Sequence, residues 1–146
     1  MRNSQSLKTR KLAEGNLSES VERKSAVALE IGIPRKLALV YEKMQASIIF
    51  PLVKPVIIGR LFSEQEFGAT LDLSVFGAEN LGVSRTHIRL WPENEGVFIE
   101  DLGSLNGTRV NGVVLPAHTP QRIYHADQIR LGGLDLKIEF VLDPLN

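Results

Sequence analysis

Asn111-Gly112, set between Val110 and Val113, constrains the fold of this chain more than any other short stretch. Two residues joining two apolar runs close as a type I′ turn, which needs positive φ at both centres, and asparagine followed by glycine tolerates it. Gly132-Gly133 between Leu131 and Leu134 makes the same argument for a late hairpin. Around these turns the pattern from Leu37 onward is one of short β-type runs separated by turn residues. The spacing predicts strands over Leu37 to Tyr41, Ser47 to Phe50, Val56 to Ile58, Thr70 to Leu73, Ile88 to Trp91 and Val97 to Glu100. It continues with Arg109 to Val110, Val113 to Leu115, Gln128 to Leu131 and Leu134 to Leu142. Ile88-Arg89-Leu90 and Val97-Phe98-Ile99-Glu100 alternate, which turns one face inward and the other to water. Val56-Ile57-Ile58 is wholly apolar and belongs mid-core, and no segment holds a helical period beyond a turn or two. Two packed antiparallel sheets, with function carried by loops at their ends, follow.

Length and composition narrow the chemistry. At 146 residues, 43% of them apolar, the chain has one domain's worth of core. It contains no cysteine, which excludes disulfides and thiolate metal sites, and His87, His118 and His125 lie too far apart to suggest zinc. No metal and no cofactor are expected. No run approaches the roughly 18 apolar residues of a membrane span, and the polar start lacks a signal-peptide core, so the expectation is a cytoplasmic protein with no membrane partner.

The formal charge is zero, with 17 basic and 17 acidic residues, but the charges are unevenly placed. Residues 1 to 36 carry eight Lys or Arg against four Asp or Glu, and residues 37 to 146 carry nine against thirteen. The first stretch is rich in Ser, Lys, Arg and Glu, with one brief apolar patch at Ala26 to Ile33, and reads as a basic, disordered tail ahead of a folded domain at 37–146. An acidic body argues against nucleic acid, which needs a broad basic face.

Three polar clusters end apolar runs: Gly59-Arg60, Ser84-Arg85-Thr86-His87 and Leu105-Asn106-Gly107-Thr108. Brought together at one end of a sheet, two guanidinium groups, a hydroxyl and an amide make a donor cluster suited to a phosphate. A phosphothreonine carries about −1.5 to −2 charges and three acceptor oxygens, and arginine supplies both donors and compensating charge. Taken singly, each residue has a plainer reading: Arg60 as a solvated strand-end arginine, Ser84 as a turn residue bonding its own backbone, Asn106 as a brace between loops. Gly59 tolerates an unusual backbone angle or a close approach, and Gly107 and Thr108 fit a tight turn. His87 suits a scaffold role, tying its loop to adjacent backbone through ring hydrogen bonds.

With Asp101-Leu102-Gly103-Ser104 and Asn111-Gly112 added, this ordered set resembles that of forkhead-associated (FHA) domains, over roughly Leu37 to Leu142. The resemblance implies an all-β fold, an FHA-like sandwich of two antiparallel sheets with about eleven strands, and recognition of phosphothreonine in a partner protein without catalysis. It implies that Arg60 contacts a phosphate oxygen or the peptide backbone beside it, that Ser84 is the most direct phosphate ligand with Arg85 assisting, and that Asn106 holds the peptide main chain. Gly59, His87, Gly107, Thr108, Asn111 and Gly112 then support the site. It also implies that Leu61 to Asn80, with Phe62, Phe67 and Phe76, borders the peptide groove; the plainer reading is that these aromatics anchor a long loop to the core.

The chain departs from the family pattern at one point. Leu105 stands where similar domains place Thr or Ser, so only its backbone N–H could serve a ligand. Losing one hydrogen bond to a charged group costs about 1.5 to 3 kcal/mol, up to roughly a hundredfold in affinity. The expected function is a phosphothreonine-binding adaptor in Ser/Thr-kinase signalling, its partner a kinase or a kinase substrate; the alternative is a phosphate-independent interaction or assembly module. A hydrolase built from Ser84, His87 and Asp72 or Asp101 fails for want of a Gly-x-Ser-x-Gly elbow and an oxyanion device. Thr9, the tail's only threonine, is a candidate for self-binding after phosphorylation, since tethering supplies a roughly millimolar effective concentration.

Overall fold

The computed structural model describes residues 34–60, 70–94 and 96–142. Residues 1–33 of the expected tail, Thr9 among them, and Phe62 and Phe67 lie outside the described residues, while Lys36, expected in the tail, belongs to the first strand. Eleven strands follow in order: β1 (Lys36–Tyr41), β2 (Ala46–Pro51), β3 (Val56–Gly59), β4 (Thr70–Asp72), β5 (Ile88–Glu93), β6 (Gly96–Asp101), β7 (Thr108–Val110), β8 (Val113–Leu115), β9 (Gln121–Ile123), β10 (Gln128–Leu131) and β11 (Leu134–Val141). They form a six-stranded sheet in the order β2-β1-β11-β10-β7-β8 and a five-stranded sheet in the order β4-β3-β5-β6-β9.

Alternation sets the register. In β11, Leu134, Leu136, Ile138 and Phe140 point inward while Asp135 faces water; in β5 and β6, Ile88, Leu90, Val97 and Ile99 are fully buried. The inner faces of both sheets meet in one core, whose burial is the main stabilising contribution. Phe76, in a short 3-10 turn at Ser74–Phe76, packs at 5.2 Å from Tyr41, so this aromatic anchors its loop to the core.

Asn111-Gly112 closes as expected, with positive φ at both centres; the Gly132-Gly133 hairpin also forms, but only Gly132 has positive φ, so it lacks the expected type I′ geometry. Asn111 and Gly112 have φ of 51° and 83°, with Val110 opposite Val113, and Gly132 at φ 59° turns β10 into β11. Most strand bounds shift by one or two residues from the sequence expectation, and the pairing differs in places. The first strand begins at Lys36, one residue early. Strand β4 pairs with β3 in parallel, the two being joined by a long connection rather than a hairpin. Strand β9 had no predicted counterpart, because it is a short edge strand that buries only Ile123 fully and so shows no alternation to detect.

Candidate functional site

The topology gathers the three clusters. Ile58 of β3 lies opposite Ile88 of β5, and Ile88 opposite Asp101 of β6, so the end of β3, the start of β5 and the end of β6 share one edge of the five-stranded sheet. Gly59-Arg60 leaves that edge, Ser84 to His87 enters it, and Leu105 to Thr108 crosses from it to β7 in the other sheet.

Backbone bonds fix these loops to one another. The Arg60 N–H donates to the Ser84 carbonyl at 3.2 Å, and the Arg60 carbonyl accepts from the Ser74 hydroxyl, which also bonds Asp72. Gly59 is required by close approach: a Cβ there would sit 1.8 Å from the Arg85 carbonyl oxygen. Glycine is therefore what allows the Ser84-Arg85 segment to lie against the end of β3.

Beneath the loops lies a polar bracket. His87 is fully buried; its Nδ1 accepts from the Ser84 N–H at 3.0 Å and its Nε2 donates to the Gly107 carbonyl at 2.9 Å. One ring thus joins the second cluster to the third, in the neutral tautomer that both partners require. The Gly107 carbonyl also accepts from the Gly132 N–H at 3.0 Å, which ties in the β10–β11 hairpin. Burial holds His87 below the usual histidine range, against the smaller upward pull of the Gly107 bond and of Asp101, whose Oδ2 is 3.9 Å from Nε2. Asp101, itself buried, accepts from the Gly103 and Ser104 N–H groups and from the Ser104 and Thr108 hydroxyls. Burial raises its pKa, but these hydrogen bonds together outweigh it and hold the carboxyl below the usual range.

Above the bracket sits the rim. Ser84 Oγ accepts from the Leu105 N–H at 3.0 Å, which leaves the hydroxyl hydrogen available to a ligand. The same bond uses the Leu105 N–H, the group of this residue expected to serve a ligand. Asn106 donates its amide to the Gly82 carbonyl at 2.9 Å, bracing the rim while its amide oxygen and second N–H remain. Arg85 is exposed and Arg60 half-buried; among the described residues, neither guanidinium has a hydrogen-bond partner. Asn111 and Gly112 sit at the other end of β7, where the Asn111 side chain bonds Asp127 and the Gln128 N–H, so their support of the site is indirect. The His87 ring contacts the Ser84 backbone rather than its hydroxyl, so it is not placed as a base for that oxygen.

Sequence reasoning missed two parts. Gly82, at φ 78°, supplies the acceptor for Asn106, and an added Cβ would meet the Asn106 amide nitrogen at 2.6 Å. Its position before Val83 and after Leu81 signals a turn and nothing about its partner. The Asp101-Leu102-Gly103-Ser104 motif carries no local sign that the carboxylate gathers four donors, which depends on how the loop folds.

A family model of the FHA domain matches residues 56–132, more than half of the chain and every residue of the rim and bracket. The chain belongs to the FHA family. Protein FraH of Nostoc sp. is 38% identical over 66 residues, which is 45% of this chain and 22% of that protein, so the match spans under a quarter of the curated relative. The solution structure of an FHA domain from an Arabidopsis thaliana hypothetical protein superposes with a TM-score of 0.62 at 24% identity, covering 79% of this chain and 94% of that one. The crystal structure of the MEK1 FHA domain in complex with a HOP1 phosphothreonine peptide superposes with a TM-score of 0.51 at 25% identity, covering 71% and 95%. The described residues contain no helix long and apolar enough to cross a membrane and no cluster of His, Cys, Asp or Glu able to hold a metal.

Proposed function

We propose that this chain is a phosphothreonine-reading interaction module, an adaptor for Ser/Thr-kinase signalling that performs no catalysis itself. The observation that carries the reading is the convergence of Arg60, Ser84, Arg85 and Asn106 on one edge, with the Ser84 hydroxyl hydrogen unspent and two guanidinium groups unpaired among the described residues. Ser84 and Arg60 supply hydrogen bonds to the phosphate, Arg85 adds charge, and Asn106 holds the peptide main chain. The rim is held by backbone bonds and by His87, so little ordering is left to do on binding. Arginine clusters recognise phosphorylated motifs in this way, and the phosphothreonine peptide bound to the MEK1 FHA domain supports the same use here. The partner is then a phosphorylated protein, either a kinase or a kinase substrate.

Titrating phosphothreonine peptides and their unphosphorylated counterparts against the wild type and Arg60→Ala tests the proposal. Binding is expected to require phosphate and to weaken at least tenfold in Arg60→Ala. Equal binding of phosphorylated and plain peptides would sink it. That result would favour a second reading, a phosphate-independent assembly module, which has one observation behind it: Leu105 brings no hydroxyl to the rim. A partner that still binds after phosphatase treatment is its signature.

A further inference from the structure

Leu105 is 87% exposed, the most exposed of the large apolar side chains among the described residues, and it stands inside the donor rim. Its backbone is held on every side. The Leu105 N–H donates to Ser84 Oγ at 3.0 Å; the preceding Ser104 is bonded to Asp101 through both N–H and hydroxyl; the following Asn106 donates to Gly82. Gly107 closes the turn by donating its N–H to Ser104 Oγ at 3.0 Å. A leucine at a loose loop tip would be an incidental exposure. Here a rigid turn presents the side chain beside the Ser84 hydroxyl, whose hydrogen is not used by the Leu105 bond.

We infer that Leu105 determines specificity, selecting phosphopeptides that carry a bulky apolar side chain next to the phosphorylated residue. The inference rests on the phosphothreonine reading of the same edge. A phosphate accepting from Ser84 lies alongside Leu105, because the two residues are joined by a direct hydrogen bond. The side chain adjoining that phosphate in the peptide then meets leucine instead of a hydroxyl. A polar neighbour gains nothing there, while an aliphatic one removes apolar surface from water on both partners. The backbone is already ordered, so only side-chain rotamers are lost on contact. Burying about half of each of two aliphatic side chains corresponds to about a tenfold gain in affinity. The residue that weakens phosphate contact by lacking a hydroxyl thereby shifts part of the selectivity onto the peptide's apolar flank.

The test uses phosphothreonine peptides in which each flanking position is set in turn to leucine or serine, titrated against the wild type, Leu105→Thr and Val113→Thr. Val113 is 69% exposed on β8, beside the Asn111-Gly112 turn at the end of β7 remote from the rim, and serves as a control for exposed apolar surface. The wild type and Val113→Thr are expected to prefer leucine over serine about tenfold at one flanking position. Leu105→Thr is expected to lose that preference while still requiring phosphate. A wild type that binds phosphopeptides with no apolar preference overturns the inference, as does a preference that survives in Leu105→Thr. A wild type that binds plain and phosphorylated peptides alike removes the phosphate reading first, and the inference with it.

Discussion

The exposed rim and the buried bracket beneath it sit within hydrogen-bonding reach of each other and treat polar groups in opposite ways. In the bracket, His87 and Asp101 use their polar atoms on named partners: two backbone groups for the ring and four donors for the carboxylate. In the rim, Ser84 keeps its hydrogen, Asn106 keeps half its amide, and among the described residues the Arg60 and Arg85 guanidinium groups have no partner. The difference shows where each kind of residue is useful. Buried polar groups must be satisfied within the fold or they destabilise it, so they are suited to fixing geometry. Unspent donors are tolerated only where water reaches them, and there they can bind.

The contrast breaks most severely at Asp101. Asp101→Ala strands four donors in the bracket and is expected to cost about 3–5 kcal/mol, seen as a lower urea midpoint at unchanged slope. A loss near zero would mean that the bracket is not what holds the loops. Next is Gly59→Ala, whose Cβ runs into the Arg85 carbonyl. An expected cost of about 1–3 kcal/mol comes with loss of phosphopeptide binding, because the Ser84-Arg85 segment has to move; calorimetry on the folded fraction separates the two effects. Arg60→Ala probes the rim alone. Its folding stability should stay within about 0.5 kcal/mol of wild type, while phosphopeptide binding weakens by about 1.5–3 kcal/mol in a titration.

The smallest effect is a slope with pH. His87 is held below its ordinary value in the folded state, so the unfolded chain binds the proton more readily. The stability contributed by the neutral ring is complete above about pH 6.5 and is lost as pH falls toward the folded value. Asp101, also held low, adds a second loss further into acid, below its ordinary carboxylate value. Chemical denaturation of the wild type should show stability declining from about pH 6.5 downward. His87→Gln should flatten the first part of that decline and leave the second.

The sequence disclosed the strands where alternation is strong, as in β5, β6 and β11, and it disclosed the turns whose chemistry is specific, above all Asn111-Gly112. It did not disclose β9, where Ile123 alone is buried fully, nor the parallel pairing of β3 with β4 across a long connection. The rim was legible for a similar reason: polar clusters at strand ends carry local signals. The partners were not. Nothing near His87 says that its ring reaches Gly107, and nothing near Gly82 says that it meets Asn106, because those contacts depend on register between strands distant in sequence.

One atom carries a consequence for motion. The Gly107 carbonyl accepts from both the His87 ring and the Gly132 N–H, so a single oxygen couples the rim and bracket to a hairpin of the other sheet. Opening the loop at Gly107 releases both donors at once, which makes edge and hairpin one cooperative unit of local unfolding. The amide hydrogens of Ser84 and Gly132 should therefore exchange with solvent together, and a ligand closing over Ser84 should slow exchange at Gly132, which it never touches.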